Sequence, residues 1–598
     1  MKIKVADYIA EYLVEHGITD VFTVVGGGAM HLNDAFGHKS GLHCTYNHHE
    51  QASAIAAESY ARIHNKMAVT CVTSGPGAIN ALNGVAGAYM DSIPMLIISG
   101  QTKSTLTVKH SGLNLRTLGN QEFDIISAIK GMTKYSEMVE TPKKIRYYLD
   151  KAVYIASSGR PGPCWLDIPL DIQGSYIDAD DLYSYNKDKY IINIDQAIDW
   201  KIINEKIKSA KRPVLYGGNA IRLSGGYKVF RKLVDELQLP VVTGWNSIDL
   251  LPTNSPYYVG RAGIMGDRAG NFAVQNSDLL ISLGSRLNIY QVGYNPETWA
   301  RKAYVIAVDI DREELKKPTI RVDMPICHDV KMFMEGLRFN ALDIEPNLEW
   351  IEQCQRWKDE YPVIQEKHYK SSKLCNAYAF VHELSKAIPE GMNTVVANGS
   401  ASVVGSQTYF IKENQRFIMN CALSSMGYDL PAAIGACIAD EKKPLVCIAG
   451  DGSIQMNLQE LQTIITNKLP IKIYIINNQG YHQIRLTQKN IFAEKTLIGV
   501  GPESNDLDFP NMEKLAWAYG YEYFKCEDNL GLNEFIKATL NFQGPLIAEV
   551  FTDTDQIYEP KSATKRLEDG TLVSPPLEDL SPFLPREELE KNMFIDMI

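Results

Sequence analysis

Four residues in the carboxyl-terminal third of the chain have the types and spacing needed to hold a charged ligand: Gly450, Asp451, Gly452 and Asn478. Glycines at 450 and 452 let backbone approach a phosphate closely, and a helix starting just after them offers unpaired N–H groups. Asp451 and Asn478 supply two oxygens, the ligand type a hard cation such as Mg2+ requires. Phosphate bridged to protein through a metal is the chemistry this set suits.

The surrounding elements predict how these residues meet. Leu445 to Ala449 is a short apolar run ending in glycine, and Ile471 to Ile476 is a β-branched run ending in a polar pair, so both read as buried strands. A helix is expected between them, with Asn457 and Glu460 as a capping box and Pro470 beyond its end. Strand, loop, helix and strand place the four residues at the carboxyl edge of a parallel sheet, where ligands bind. GDG, 24 residues and then NN resembles the diphosphate signature of thiamine diphosphate enzymes. The resemblance implies that Asp451, the Asn478 side chain and the Gly480 carbonyl hold Mg2+. It also places Gly450, Gly452, Ser453 and Tyr481 beside the cofactor.

At 598 residues the chain is long enough for three or four domains. Hydrophobic content of 45% and charged content of 22% are those of a globular protein. No apolar run reaches transmembrane length, and MKIKVADYIAEYLVEHGI reads as an amphipathic helix carrying acids rather than a signal peptide, so a cytoplasmic protein without a membrane partner is expected. A net charge of −11 without a basic block argues against nucleic acid. Ten cysteines without a CxxC pair indicate neither a disulfide framework nor a zinc site.

A first domain is expected over 1–175. Asp20 to Val25 reads as a strand leading into Gly26, Gly27 and Gly28 and a new helix, which brings backbone close to a ligand. Glu50 opens an alanine-rich helix, where a carboxylate is favoured by the helix dipole. In thiamine diphosphate enzymes the glutamate at this place bonds N1′ of the aminopyrimidine and relays its proton. VTSGPGAINALNGVAGAYMDSIPMLIISGQ, residues 72–101, looks like acetolactate synthase, which implies cofactor contacts from Thr73, Gly77 and Asn80. The 115–135 loop resembles that branch's second active-site loop, with Gln121 as a catalytic group. Asn120 replaces the phenylalanine found there. Arg116, Lys134 and His110 are candidates for a substrate carboxylate, and His31 for catalysis.

Residues 176–190 read as a linker, 191–341 as a second αβ domain, and 342–372 as another linker. Gly217, Gly218, Gly284, Arg286 and Asp309 occupy positions resembling FAD contacts of acetolactate synthase, although LNIYQVGYNPE after Arg286 departs from it. A third domain is expected over 373–558 and a tail over 559–598, draped over the subunit or the active-site mouth. Gly399 and Ser400 follow a strand where the diphosphate would lie, and Met426 would force the cofactor into its bent form. NNQGYHQIRLTQ departs from acetolactate synthase, leaving Tyr481, His482 and Gln483 to face the substrate, His482 as a catalytic candidate.

Three doubly wound α/β domains are therefore expected, with thiamine diphosphate, Mg2+ and FAD as implied cofactors. The resemblance further implies a homodimer or homotetramer with Glu50 and Asp451 meeting across a subunit interface. The implied activity is carboligation of a 2-oxo acid to a carbonyl acceptor, a keto-sugar being one candidate. A simple 2-oxo acid decarboxylase, a C–C bond-cleaving lyase and a non-catalytic binding protein are the alternatives.

Overall fold

The computed structural model describes residues 2–190, 192–195, 197–341, 344–370, 373–492, 495–566 and 570–598. The expected boundary residues 191, 342 and 372 lie outside the described residues. Three six-stranded sheets carry the fold, every neighbouring pair of strands within them parallel.

Numbered within each sheet along the chain, the first and third share the strand order 2-1-3-4-6-5, while the middle sheet runs 3-2-1-4-5-6. The middle order reverses direction once; the first and third reverse near strand 1 and again at strand 6, which inserts between strands 4 and 5. In the first sheet the reversal near strand 1 lies between Asp20–Thr23 and Val69–Val72, and in the third between Thr394–Val396 and Leu445–Gly450. In the middle sheet it lies between Pro213–Gly217 and Leu279–Leu283. Helices leaving adjacent strands in opposite directions open a crevice at such a point. The glycine motifs named above follow these strands, except Gly480, which follows Ile471–Asn477.

The central strands are mostly Val, Ile and Leu runs buried on both faces, as parallel sheets covered by helices require. One apolar cluster is shared between the first and third domains, through the helices Glu50–His64 and Asp429–Ala439. These helices pack antiparallel. Ser59 Oγ donates to the Ala432 carbonyl at 2.8 Å, the Tyr428 hydroxyl to Glu58 at 2.8 Å, and Arg416 to the Arg62 carbonyl. The pair approaches closely enough that a Cβ on Gly435 would stand 1.9 Å from the Ala56 oxygen.

Several expectations are corrected. The opening segment is a strand, Lys2–Lys4, before the helix Val5–Glu15, and it pairs antiparallel with Tyr176–Asp178. The supposed linker 176–190 thus belongs to the first domain, where Tyr185 and Tyr190 pack edge-on against Tyr147 and Tyr154. The second linker contains a helix, Leu348–Glu360, whose Trp350, Cys354 and Trp357 are buried against the middle domain. The tail also folds onto that domain. Asn276 Nδ2 donates to the Asn592 carbonyl at 2.9 Å, Arg268 bonds the Leu580 carbonyl, and Leu577, Leu580 and Leu589 join its core. No helix among the described residues is long and apolar enough to cross a membrane.

Candidate functional site: two sheet edges and a domain junction

At the third sheet's edge Asp451 is 2% exposed and follows directly on its strand. Its oxygens accept the Gly480 N–H at 2.8 Å and the Gly452 N–H at 2.9 Å. Burial still pushes its carboxyl up to about 7, because two amides do not replace the lost hydration of an anion. A cation would. Asn478 donates through Nδ2 to Ser400 Oγ at 2.9 Å, which leaves Oδ1 as the atom available to a metal. Asp451 and Asn478 offer oxygens of the kind Mg2+ takes, and these are the residues that would hold it together with the Gly480 carbonyl.

Two of the glycines here, Gly480 and Gly452, are steric requirements. Gly480 has φ +119° and a Cβ on it would stand 2.1 Å from the Val500 oxygen; one on Gly452 would stand 2.6 Å from the Tyr481 ring. Gly399 has φ +65° and opens the helix Ser400–Thr408, while Gly450 meets nothing closer than 4.0 Å. Ser453 Oγ donates to Asp429 at 2.7 Å and accepts the Gly427 N–H at 3.0 Å, so it fixes the turn carrying the half-buried Met426. Tyr481 stands edge-on to Phe509, ring centres 5.5 Å apart. The predicted capping box is absent. Asn457 donates to the Gly427 carbonyl, and Glu460 accepts Asn47 Nδ2 at 2.9 Å and the His48 N–H at 3.0 Å, linking the third domain to the first.

At the first sheet's edge Glu50 begins its helix with His49 as N-cap. Asn80 Nδ2 donates to Glu50 Oε2 at 3.0 Å, and a Cβ on Gly77 would stand 3.2 Å from Glu50 Oε1. Thr73 Oγ1 accepts the Gly28 N–H at 3.0 Å, and Gly27 borders open space. Gln121 is exposed with φ +53°, its carbonyl seated where only a glycine at 75 leaves room. Its neighbour Glu122 holds the loop, accepting the Leu118 N–H at 2.7 Å and the Val108 N–H.

Two candidates, Lys134 and His482, stand differently from expectation. Lys134 Nζ donates to the Ser158 carbonyl at 2.6 Å and to the Ile155 carbonyl, closing the end of the helix Ile145–Ser157. Burial lowers it to about 8, and those carbonyls occupy the donors a substrate would need. His482 is buried, its Nε2 2.7 Å from the Gln556 carbonyl and its ring against Tyr558, with burial pushing its pKa down. It packs the site from behind. His31 lies beside Gly174, where a Cβ would stand 3.0 Å from its Nε2. Arg116 and Gln483 are exposed, on a loop and a helix first turn.

A cavity of about 520 Å³ lies where the three domains join, lined among others by Arg160, Asn246, Gly284, Arg286, Asp309 and Cys421. Gly284, Arg286 and Asp309 face it. Gly217 and Gly218 do not line it: Gly217 packs against Leu250, and Gly218 lets the reversing strand ends approach, since its Cβ would stand 2.1 Å from the Gly284 oxygen. Arg286 donates to the Met90 carbonyl at 2.9 Å, and burial lifts Asp309 to about 6. Arg160 and Asn246, which line the cavity from the first and middle domains, went unnoticed in the sequence because nothing local marks a residue that acts across a domain junction.

Three family profiles match in the order of the sheets: the N-terminal TPP binding domain of thiamine pyrophosphate enzymes over 3–126, their central domain over 201–337, and their C-terminal TPP binding domain over 397–550. The chain belongs to the thiamine pyrophosphate enzymes. Among curated relatives, the acetolactate synthase large subunit of Lactococcus lactis is 30% identical over 92% of this chain and 92% of its own length. That of Cyanidium caldarium is 31% identical over 93% and 94%. The isozyme 2 large subunit of Escherichia coli is 29% identical over 92% and 95%. This is a thiamine diphosphate-dependent enzyme of the acetolactate synthase-like branch.

Proposed function

We propose that the enzyme is a Mg2+-dependent carboligase that removes CO2 from pyruvate or another 2-oxo acid and joins the acyl carbon to a carbonyl acceptor. The buried, cation-seeking oxygen set of Asp451, Asn478 and Gly480 carries this reading, together with the Glu50–Asn80 pair at the other sheet edge. Thiamine diphosphate, when bound, supplies an electron sink that stabilises the carbanion left by decarboxylation. Asp451, Asn478 and Gly480 would hold the diphosphate through the metal, and Met426 would support the ring system from below. Glu50 would exchange a proton with the aminopyrimidine, Asn80 fixing its carboxylate. The acceptor enters past Gln121, Asn120 and Gln483, a polar rim that suits a hydroxylated ketone such as a keto-sugar.

Within one chain the two halves of this site face apart. Glu50 lies eight residues before Glu58, about 12 Å along the helix, at the end remote from Tyr428 and Met426. This arrangement supports a homodimer or a higher oligomer in which Glu50 of one subunit serves Asp451 of another. The junction cavity suits FAD as a second, non-reacting ligand: Arg160 and Arg286 offer cationic donors, and Asp309 offers an acceptor for hydroxyls.

Incubating the purified enzyme with Mg2+, thiamine diphosphate and a panel of 2-oxo acids, with and without ketone acceptors, tests the reaction. Carboligated products are expected. Release of free aldehyde alone, whatever the acceptor, would replace carboligation by simple decarboxylation.

A further inference from the structure

We propose that Arg485 is the positioning residue that shapes the turn Asn478–Gly480, read above as metal-binding. The proposal rests on the cofactor reading above and extends it to a side chain outside the ligand set.

The turn is an unfavourable piece of backbone. Gln479 has φ +57°, a left-handed conformation that a residue with a Cβ holds only where surroundings favour it, and Gly480 has φ +119°, which glycine adopts freely. Such a bend turns the Asn478 and Gln479 carbonyls toward the same side, where two buried dipoles of like orientation repel. The guanidinium of Arg485 lies between them. Nη1 donates to the Asn478 carbonyl at 2.8 Å and Nη2 to the Gln479 carbonyl at 2.5 Å.

Arg485 is fully buried, in the first turns of the helix His482–Ile491. An arginine is seldom so placed without a partner. Its charge is balanced by Glu503, 3.1 Å from Nε, and the other Glu503 oxygen is 3.0 Å from Lys489. Nη1 also lies 3.5 Å from the Thr554 carbonyl. One side chain thereby ties the metal turn to the 499–504 loop and to the 552–558 segment, which carries Tyr558 against Ser400. The 499–504 loop closes over the turn from above, with Tyr481 N–H donating to the Val500 carbonyl at 2.8 Å.

With its Asn478 and Gln479 carbonyls held by the guanidinium, the turn keeps the Gly480 N–H on Asp451 and the Asn478 amide on Ser400, the placement from which the proposed metal ligands would act. Residues that orient metal ligands in this way typically change metal affinity by about ten- to a hundred-fold when altered. Lysine cannot replace the fork, because a single ammonium on a flexible stem does not bridge two carbonyls in a fixed plane.

The test is Mg2+ titration of the metal-free protein with thiamine diphosphate present, by calorimetry and by the Mg2+ dependence of turnover. In Arg485→Lys the Mg2+ concentration for half-saturation should rise about ten-fold or more, with turnover at saturating Mg2+ largely restored. Glu503→Gln, half exposed and outside the ligand set, should shift it in the same direction by less, and this measurement stands if Arg485→Lys does not fold. Wild-type Mg2+ affinity in folded Arg485→Lys, or lost turnover with an unchanged Mg2+ requirement, overturns the proposal. Failure of the wild-type protein itself to bind Mg2+ and thiamine diphosphate overturns the cofactor reading, and this inference with it.

Discussion

Asp167 in the first sheet and Asp451 in the third are buried carboxylates toward the carboxyl edge, and their partners separate structure from chemistry. Asp451 meets only backbone amides, while Asp167 accepts from Ser99 Oγ at 2.6 Å and Gln101 Nε2 at 3.1 Å. Gln101 also donates to the Phe123 carbonyl at 3.0 Å, so Asp167 supports the loop bearing Gln121 without facing solvent. Burial pushes Asp167 from 3.8 to about 7. The folded chain therefore keeps a proton that the unfolded chain releases, and stability falls as pH rises through that window, levelling off above about pH 7. At 1.36 kcal/mol per unit the penalty is at most about 4 kcal/mol. Asp167→Asn cannot ionise but loses one acceptor, so it should be less stable than wild type at pH 5 and close that gap, or reverse it, at pH 8. Urea unfolding at both pH values measures this; Trp165, which donates to the same Ser99 hydroxyl at 2.7 Å, is a fluorescent reporter beside the network. Parallel profiles for the two proteins would mean that Asp167 does not titrate as described.

At the scale of elements, the contact between Glu50–His64 and Asp429–Ala439 fixes how the first and third domains face one another. Gly435→Ala would place a methyl 1.9 Å from the Ala56 carbonyl, and backbone cannot move aside as a side-chain tip can. A loss of about 1–3 kcal/mol or more is expected, read as a lower melting temperature in calorimetry. Gly399→Ala is the contrast: nothing stands within 4 Å, and only the φ of +65° opposes it, so its cost should be the smaller. An unchanged melting temperature in Gly435→Ala would show that the helices are not in that contact. The strands of central β-branched runs could be read from sequence, because burial on both faces leaves a continuous apolar signature. Edge strands were not legible: Phe417–Ile418 is two residues long, and Glu522–Cys526 is half exposed, so neither carries that signature. Leu348–Glu360 carries Trp350, Cys354 and Trp357 at helical spacing, but the polar residues around them make the segment read as a linker. Among candidate site residues, Asp451, Asn478, Gly480 and Glu50 follow from motifs that local backbone sets. Lys134 reads from the sequence as a substrate ligand and Arg485 as nothing in particular, since the contacts of both depend on carbonyls brought together only by the tertiary fold.

For the whole molecule, the decisive consequence is the opposition of the two sheet edges within a chain. Because the shared helices run antiparallel, the edge bearing Glu50 and the edge bearing Asp451 open away from each other. A site using both must borrow one of them, and closed two-fold symmetry then creates two equivalent sites per dimer. Glu50→Gln should abolish turnover by removing the proton relay, and Asp451→Asn by removing the metal's charged ligand, so each homodimer should be inactive. In a mixed dimer one site would receive both altered residues and the other would receive neither. Unfolding and refolding the two variants together at equal amounts should therefore restore activity to about one quarter of wild type, half the dimers being mixed and half of their sites intact. Refolding either variant alone should restore none. If each site were built within a single chain, mixing would leave activity at the level of the separate variants, and recovery above that level is attainable only when Glu50 crosses the interface.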